Sequence, residues 1–211
     1  MTNREKLIDI ALLLGTAFAI ITALFADFAR ECAELYDSTF RLHIIANSDS
    51  PEDQRVKYAV RDYILTDISG IFADCATAAE ASAAAEENAG YIAERVGGYL
   101  AGRGCGYAAS VSVGEAGFPT RAYAGLTLPS GNYRALRIVL GEGGGRNWWC
   151  VLYPSMCIGA AGAEKTVLPR RELYERRKRL DRLTADSLRT GQGGIEFRFA
   201  LYDFIRSLFG K

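Results

Sequence analysis

Histidine is almost absent from this chain of 211 residues, and none of its five cysteines belongs to a Cys-x-x-Cys pair. The single histidine, His43, leaves too few nitrogen and thiolate ligands for a structural zinc site, so we expect no metal centre. An excess of charge is also absent, because 25 basic residues balance 25 acidic ones. Domains that bind nucleic acid usually carry a strongly basic surface, so we expect no nucleic-acid partner.

Two common catalytic signatures are missing as well. The sequence has no Gly-x-Ser-x-Gly motif, which would mark a nucleophile elbow. The glycine-rich loop Gly141–Gly145 resembles a phosphate-binding loop, but no Gly-Lys-Ser/Thr follows it, and an apolar strand comes after it where a phosphate site would have a helix N-terminus. We therefore interpret this loop as a flexible connection between strands and expect no cofactor.

The stretch around His43 leaves two interpretations open. The pKa of a histidine suits general-base catalysis at neutral pH. With Ser48 or Asp49 as its partner, His43 would make the chain an extracytoplasmic hydrolase of cell wall or peptide. In the other interpretation, the stretch Phe40–Ala46, which is rich in apolar and β-branched residues, is a buried strand, and Ser50 caps the helix that follows. His43 is then structural, and the chain is not an enzyme.

Carboxylates cluster where this helix is predicted to begin. Asp49, Glu52 and Asp53 are oxygen ligands of the kind that a metal ion accepts, but acidic residues in a first helical turn are also favoured by the helix dipole. Pro51 suits the first helical position, and Asp53 follows Ser50 by three residues, as in a capping box. We interpret the cluster as a helix N-terminus and not as a metal site.

The N-terminus has the pattern of an export segment. Arg4 and Lys6 precede the run Ile10–Ala26, which contains no charged residue. A run of about 17 apolar residues is near the lower limit for crossing a membrane, and a helix without a polar face would have to be covered on all sides in a soluble protein. We predict that residues 1–29 are a signal peptide or a signal anchor, with residues 7–29 as the anchor if it is not cleaved.

The remaining pattern predicts one α+β domain. An Ala-rich helical region extends from about Ala73 to Leu100, with Gly97–Gly98 as its expected weak point. Strands follow, and the apolar runs Tyr133–Leu140 and Trp148–Tyr153 predict a hairpin. We expect the N-terminal signal or anchor helix to precede one globular domain, in which helices pack on a mainly antiparallel sheet.

The C-terminal part is predicted to be helical and basic. We divide the chain into the export segment, a core domain over residues 36–160, and a tail over residues 161–211 that packs on the core. The basic stretch Arg170–Leu180 is interpreted as a solvated helix face, and a surface for anionic lipid is the alternative. Near the end of the chain, apolar residues recur at helical spacing from Leu201 to Phe209.

Trp148 and Trp149 are adjacent in a predicted strand and therefore point to opposite faces. One can enter the core, whereas the other must be covered by another element or remain exposed as a binding anchor. Cys150 and Cys157 are close enough in sequence to form a disulfide across the turn at Pro154. A loop of this size would stabilise the fold by roughly 2.5 kcal/mol.

Two stretches together resemble the stage II sporulation protein R family. The first is Phe40–Leu65, centred on Arg-Leu-His-Ile-Ile-Ala-Asn-Ser-Asp-Ser. The second is Gly141–Cys157, with Asn-Trp-Trp-Cys-Val-Leu-Tyr-Pro. The resemblance covers roughly Phe40 to Cys157 and agrees with an N-terminal export segment.

This resemblance implies a signalling protein of endospore-forming bacteria and not an enzyme. Such a protein is made in the forespore and exported into the space between the forespore and mother-cell membranes. There it activates a membrane-embedded aspartic protease, which removes the pro-sequence of the mother-cell sigma factor, sigma-E. The implied partners are therefore this protease and, through the N-terminal segment, a membrane.

From the positions of the two motifs we expect a recognition surface and a disulfide staple. The predicted contact residues come from the polar loop of the first motif and the aromatic positions of the second: Asn47, Ser48, Asp49, Trp148, Trp149 and Tyr153. The predicted staple is Cys150–Cys157.

Overall fold

The computed structural model describes residues 3–123 and 126–154 of the chain. The helices are α1 (Asn3–Asp37), α2 (Pro51–Tyr63), α3 (Ala78–Glu87) and α4 (Ala89–Gly102), with a π-helical turn at Ile64–Ile68 and a 3-10 turn at Ser69–Phe72. The strands are β1 (Phe40–Ile45), β2 (Ala109–Phe118), β3 (Arg121–Tyr123), β4 (Leu126–Leu128), β5 (Gly131–Leu140) and β6 (Asn147–Tyr153).

The chain divides into two compact units, Met1–Glu34 and Leu35–Lys211. The first unit is most of α1, an apolar helix whose large side chains are exposed, for example Leu13 at 70% and Phe18 at 71%. The segment Arg4–Asp37 contains a window of mean hydropathy 2.3, which is apolar enough and long enough to cross a membrane. This helix fits the predicted signal or anchor segment.

The second unit is built on a mixed four-stranded sheet with the order β2-β5-β1-β6. β1 runs parallel to β5 and antiparallel to β6, and β2 runs antiparallel to β5. Two of these three pairings are antiparallel, so the predicted α+β class with a mainly antiparallel sheet is confirmed. β3 and β4 form a separate antiparallel pair.

The predicted hairpin between the last two long strands is wrong. β5 and β6 follow each other in the chain, but β1 lies between them. The glycine-rich connection therefore crosses over the C-terminal end of β1. There its amides bond to the chain that leaves β1, from Gly144 N to Asn47 O at 3.0 Å and from Gly145 N to Ala46 O at 2.9 Å.

Helices α2, α3 and α4 cover one face of the sheet. Alternate strand residues supply the sheet side of this core, because successive side chains of a strand point to opposite faces. The fully buried members from the strands are Phe40, Leu42, Ile44, Leu136, Ile138 and Leu140, and those from the three helices include Val60, Ala81, Ala85, Ile92 and Val96.

A side-chain hydrogen bond sets the start of α2, whereas core packing decides how far α4 extends. The predicted start of α2 is confirmed, since the side chain of Ser50 accepts a hydrogen bond from Asp53 N at 3.1 Å. The Ala-rich region instead breaks at Asn88, and α4 continues through Gly97–Gly98. Ile92, Val96 and Leu100 recur every four residues and are buried, so packing holds this helix through the two glycines.

Candidate functional site

The two motif stretches meet at one end of the sheet. β1 ends there at Ile45, β5 ends at Leu140 and β6 begins at Asn147, because β1 is parallel to β5 and antiparallel to β6. The connection after β1 and the glycine-rich loop after β5 are therefore neighbours. We call this region, residues 46–54 with 141–147, the motif junction.

Asp53 organises the motif junction. Its carboxylate accepts hydrogen bonds from Asn47 Nδ2 at 2.9 Å, Ser48 Oγ at 2.5 Å and the Tyr107 hydroxyl at 2.8 Å. These bonds, the Ser48 bond first, hold the pKa of Asp53 below its usual range, although burial opposes them. Burial and the bond to Asp53 raise the pKa of Tyr107. A charged acceptor with three donors fixes the geometry of the first motif.

Asn47 and Asp49 tie the first motif to the glycine-rich loop. Asn47 Oδ1 accepts a bond from Glu142 N at 3.0 Å. Asp49 Oδ1 accepts one from Arg146 N at 2.8 Å, and the Arg146 guanidinium lies 3.5 Å from the same oxygen. Both predicted contact residues thus have internal hydrogen bonds, and the side chain of Asp49 remains 58% exposed.

The glycine-rich loop owes its composition to this close approach. A Cβ at Gly145 would lie 2.2 Å from Ser48 O, and one at Gly141 would lie 2.1 Å from Asn47 Oδ1. Gly141 also has a φ of +55°, which side-chain-bearing residues rarely adopt. Contact with the first motif therefore explains the glycines of this loop, and no phosphate ligand is needed to account for them.

Lys57 closes the junction from the helix side. Its ammonium group donates to Gln54 Oε1 at 2.6 Å and to Arg146 O at 3.1 Å. Only 2% of Lys57 is exposed, and this burial lowers its pKa. Gln54 in turn donates to Ser48 O at 2.9 Å. The junction is therefore a continuous hydrogen-bonded network between two parts of the chain that are distant in sequence.

His43 lies on the sheet face opposite the helices. It is 9% exposed, its ring is stacked on Trp149, and its Nε2 lies 2.8 Å from Asn147 Oδ1. An amide oxygen only accepts, so Nε2 carries the proton and Nδ1 is the unprotonated nitrogen. Burial, followed by the charges of Arg137 and Arg41, lowers the pKa of His43, and the bond to Asn147 opposes this shift.

This geometry does not assemble the triad that a hydrolase would use. The hydrogen-bond partner of His43 is Asn147, whereas the Ser48 hydroxyl donates to Asp53. Asp49 instead bonds to Arg146, at the end of the glycine-rich loop. Within residues 3–123 and 126–154, no group of three or more His, Cys, Asp or Glu residues is arranged to hold a metal ion.

Trp148 and Trp149 point to opposite faces of β6, as predicted, and they have different neighbours. Trp148 packs against the helical core, with Tyr58 edge-on at 5.5 Å and the Arg61 guanidinium 4.7 Å from its ring centre. Trp149 lies on the other face, where the Arg121 guanidinium is 4.5 Å from its ring centre. Both rings are half-buried, so neither is wholly in the core.

Tyr153 and Cys150 are interior residues. Tyr153 is 9% exposed, and its hydroxyl donates to Ala76 O, which leaves little of its surface for a partner. Cys150 is 2% exposed. Cys157 lies outside the described residues, as does the whole tail over residues 161–211, so the staple and the predictions for the tail stay predictions.

Sequence reasoning missed two of the organising residues. Arg41 is fully buried on the face that carries His43, and its guanidinium lies 4.0 Å from the Phe118 ring centre and 4.7 Å from that of Tyr133. Its position in an apolar strand was the available signal, because a charged residue is rarely buried without aromatic or polar partners. Tyr107, the other, comes from a turn and gave no signal.

Comparison of the sequence with known protein families identifies the family to which this chain belongs. The profile of the family described as stage II sporulation protein R matches residues 36–162, which is more than half of the chain. The chain belongs to the stage II sporulation protein R family. A curated relative, the stage II sporulation protein R of Bacillus subtilis (strain 168), is 29% identical over 184 residues, which cover 82% of this chain and 82% of that protein. No solved structure matches the chain.

Membership of the stage II sporulation protein R family supports a role in sporulation. The family match contains the whole motif junction and all strands of the sheet. The apolar helix α1 precedes most of the match and fits a membrane anchor or an export signal. Family and fold together describe a domain of a sporulation family that follows an apolar helix.

Proposed function

We propose that this chain is the exported signal of a sporulating cell. It acts from the space between the forespore and mother-cell membranes, and it activates a membrane-embedded aspartic protease of the mother cell. That protease then processes the precursor of sigma-E. The chain acts as a ligand of the protease and carries out no chemistry itself.

The observation that carries this proposal is the family match over the globular domain, preceded by a single apolar helix among the described residues. A domain that acts as a ligand needs a defined surface and no catalytic group. The bonds of His43 to Asn147 and of Ser48 to Asp53 are consistent with such a protein, because both groups serve internal structure.

We further propose that the contact surface includes the exposed parts of the motif junction and of β6. Asp49 has an exposed carboxylate, and Trp148 and Trp149 are half-buried. Tryptophan is enriched among residues that dominate binding energy. Asn47 and Ser48 hold the junction part of this surface in place through their internal bonds, and Tyr153 anchors the far end of β6 through its bond to Ala76 O.

The test reconstitutes the signal in a bacterium that does not sporulate. This chain, the cognate protease and the sigma-E precursor are produced together, and precursor cleavage is followed on a gel. A matched culture produces the chain without residues 1–29, which keeps it in the cytoplasm. We expect cleavage only with the full chain. Cleavage that does not need this chain, or none when all three proteins are present and the chain is exported, would refute the proposal.

The contact surface is tested in the same assay. We expect Asp49→Ala and Trp149→Ala to reduce cleavage while the domain remains folded and exported. Asn47→Ala is expected to reduce cleavage together with stability. If all three proteins fold and signal like the original chain, the proposed surface is wrong.

A further inference from the structure

The sheet face opposite the helices carries charge of one sign only. Pairing in register places Ser112 of β2, Arg137 of β5, His43 of β1 and Trp149 of β6 in one row across all four strands. Paired residues point to the same face, so these four side chains are neighbours there. On this face of the described strands, no position is occupied by Asp or Glu. We call this row, together with Arg121 above Trp149, the arginine row.

The arginine row contains two exposed cations. Arg137 and Arg121 are both exposed, and neither has an ion pair among the residues that the structure describes. Elsewhere in the domain, Arg134 pairs with Glu86 and Arg61 with Asp62. The positive charge of the row is therefore not neutralised by carboxylates from its own strands.

The interior of this face adds to the positive potential. Arg41 is the cross-strand neighbour of Ala135 and Val151 and is fully buried beside the row. A buried cation is screened less by solvent than an exposed one, so its field extends to the surface above it. Burial lowers the pKa of His43 below 6.5, so its ring adds no charge of its own at neutral pH.

Trp149 gives the row an apolar platform. Its ring is half-buried and stacked with the imidazole of His43 at 6.1 Å, and the guanidinium of Arg121 lies 4.5 Å from its ring centre. Tryptophan and arginine are the residues most enriched at the centres of protein interfaces. Exposed cations beside an aromatic ring form a surface that suits a segment with carboxylates next to apolar side chains.

We propose that the arginine row is a docking surface for an acidic segment of the partner protein. Carboxylates of that segment would pair with Arg137 and Arg121, and an adjacent apolar side chain would cover Trp149. The identity of the partner as the sigma-E-processing protease rests on the proposed function. The acidic and apolar character of the docked segment is inferred from the arginine row itself and does not rest on that function.

The first experiment uses the full chain in the cleavage assay with two variants of different kinds. Arg137→Glu reverses the exposed charge. Ser112→Asp keeps every residue of the row except an exposed serine and places a carboxylate directly across from Arg137, where it competes with the partner. Arg95→Glu is the matched control, because Arg95 is exposed on α4 in the helical layer.

We expect roughly a tenfold or greater loss of cleavage rate for both row variants and no change for the control, since like charges at an interface oppose association. Unfolding of each exported protein is measured alongside, and Ser112→Asp is expected to be as stable as the original chain. Normal cleavage by a folded Ser112→Asp protein would overturn the inference, as would normal cleavage by a folded Arg137→Glu protein.

A second experiment does not depend on the proposed function. The full chain in detergent micelles at low salt is titrated with oligo-glutamate peptide, and tryptophan emission is recorded. We expect a saturable change that oligo-lysine does not produce, and that both Arg137→Glu and Ser112→Asp abolish. No change with the original chain would refute the docking surface. A saturable change combined with an inactive original chain in the cleavage assay would refute the proposed function alone.

Discussion

Asp53→Asn is the sharpest test of the motif junction, because it keeps the shape of the side chain and removes its charge. The carboxylate serves three side-chain donors from Asn47, Ser48 and Tyr107. An amide has one acceptor oxygen and turns its own donor group toward one of the three. At least one hydrogen bond to a charged acceptor is lost, so we expect the free energy of unfolding to fall by about 1.5–3 kcal/mol.

The loss is measured by urea unfolding of the full chain in mild detergent, followed by tryptophan emission. Glu94→Gln is the control, because Glu94 is an exposed carboxylate on α4 and is expected to change stability by less than about 0.5 kcal/mol. Tyr107→Phe removes one hydrogen bond to the charged carboxylate and should likewise cost about 1.5–3 kcal/mol. The network assigned to Asp53 is wrong if Asp53→Asn is no less stable than Glu94→Gln.

The same variant has a defined pH dependence. The pKa of Asp53 is lowered by folding from its ordinary value of 3.8, so its stabilisation is present above that value and is lost as the pH falls through the folded pKa. The stability difference between the original chain and Asp53→Asn should therefore shrink in acid. A difference that stays constant down to the acid limit would contradict a charged Asp53 in the folded state.

Two further predictions concern close packing and His43. Gly145→Ala places a methyl group against Ser48 O and should cost about 1–3 kcal/mol of unfolding free energy in the urea assay. Gly98→Ala has open space in a helix and should stabilise by about 0.5–1 kcal/mol, so equal effects of the two would contradict the close approach. Because burial lowers the pKa of His43 from 6.5, the unfolded chain gains a proton before the folded one as the pH falls. Stability should therefore decline between pH 6.5 and the lowered pKa, and His43→Gln, measured over the same range, should abolish that decline.

Local chemistry made part of this domain predictable from its sequence. Ser50, Pro51 and Asp53 encode the start of α2 within four residues, and the structure has the cap at that position. The strand before it was equally clear, because four of the six residues of Phe40–Ile45 are apolar. Such features depend on neighbours in sequence, which a single chain reveals.

The pairing of β1 between β5 and β6 was not predictable in the same way. The two later strands are separated by a short glycine-rich loop, which normally indicates a hairpin. β1 takes the central place because Leu42 and Ile44 pair with apolar residues of both strands, from Leu136 and Ile138 on one side to Cys150 and Trp148 on the other. Asp53 shows the same limit of prediction from sequence. Its role at the helix cap depends on near neighbours and was predictable, whereas its bond to Tyr107 spans 54 residues and was not.

The motif junction changes how substitutions in the family motifs should be interpreted. Asn47 bonds to both Asp53 and the glycine-rich loop, so Asn47→Ala disturbs the fold wherever the partner binds. A loss of signalling in that variant therefore gives no evidence of a contact. Arg137 and Ser112 differ, because they are exposed and make no side-chain hydrogen bond or ion pair within the described residues. A signalling defect with unchanged stability at those two positions would identify a contact surface, which Asn47→Ala cannot do.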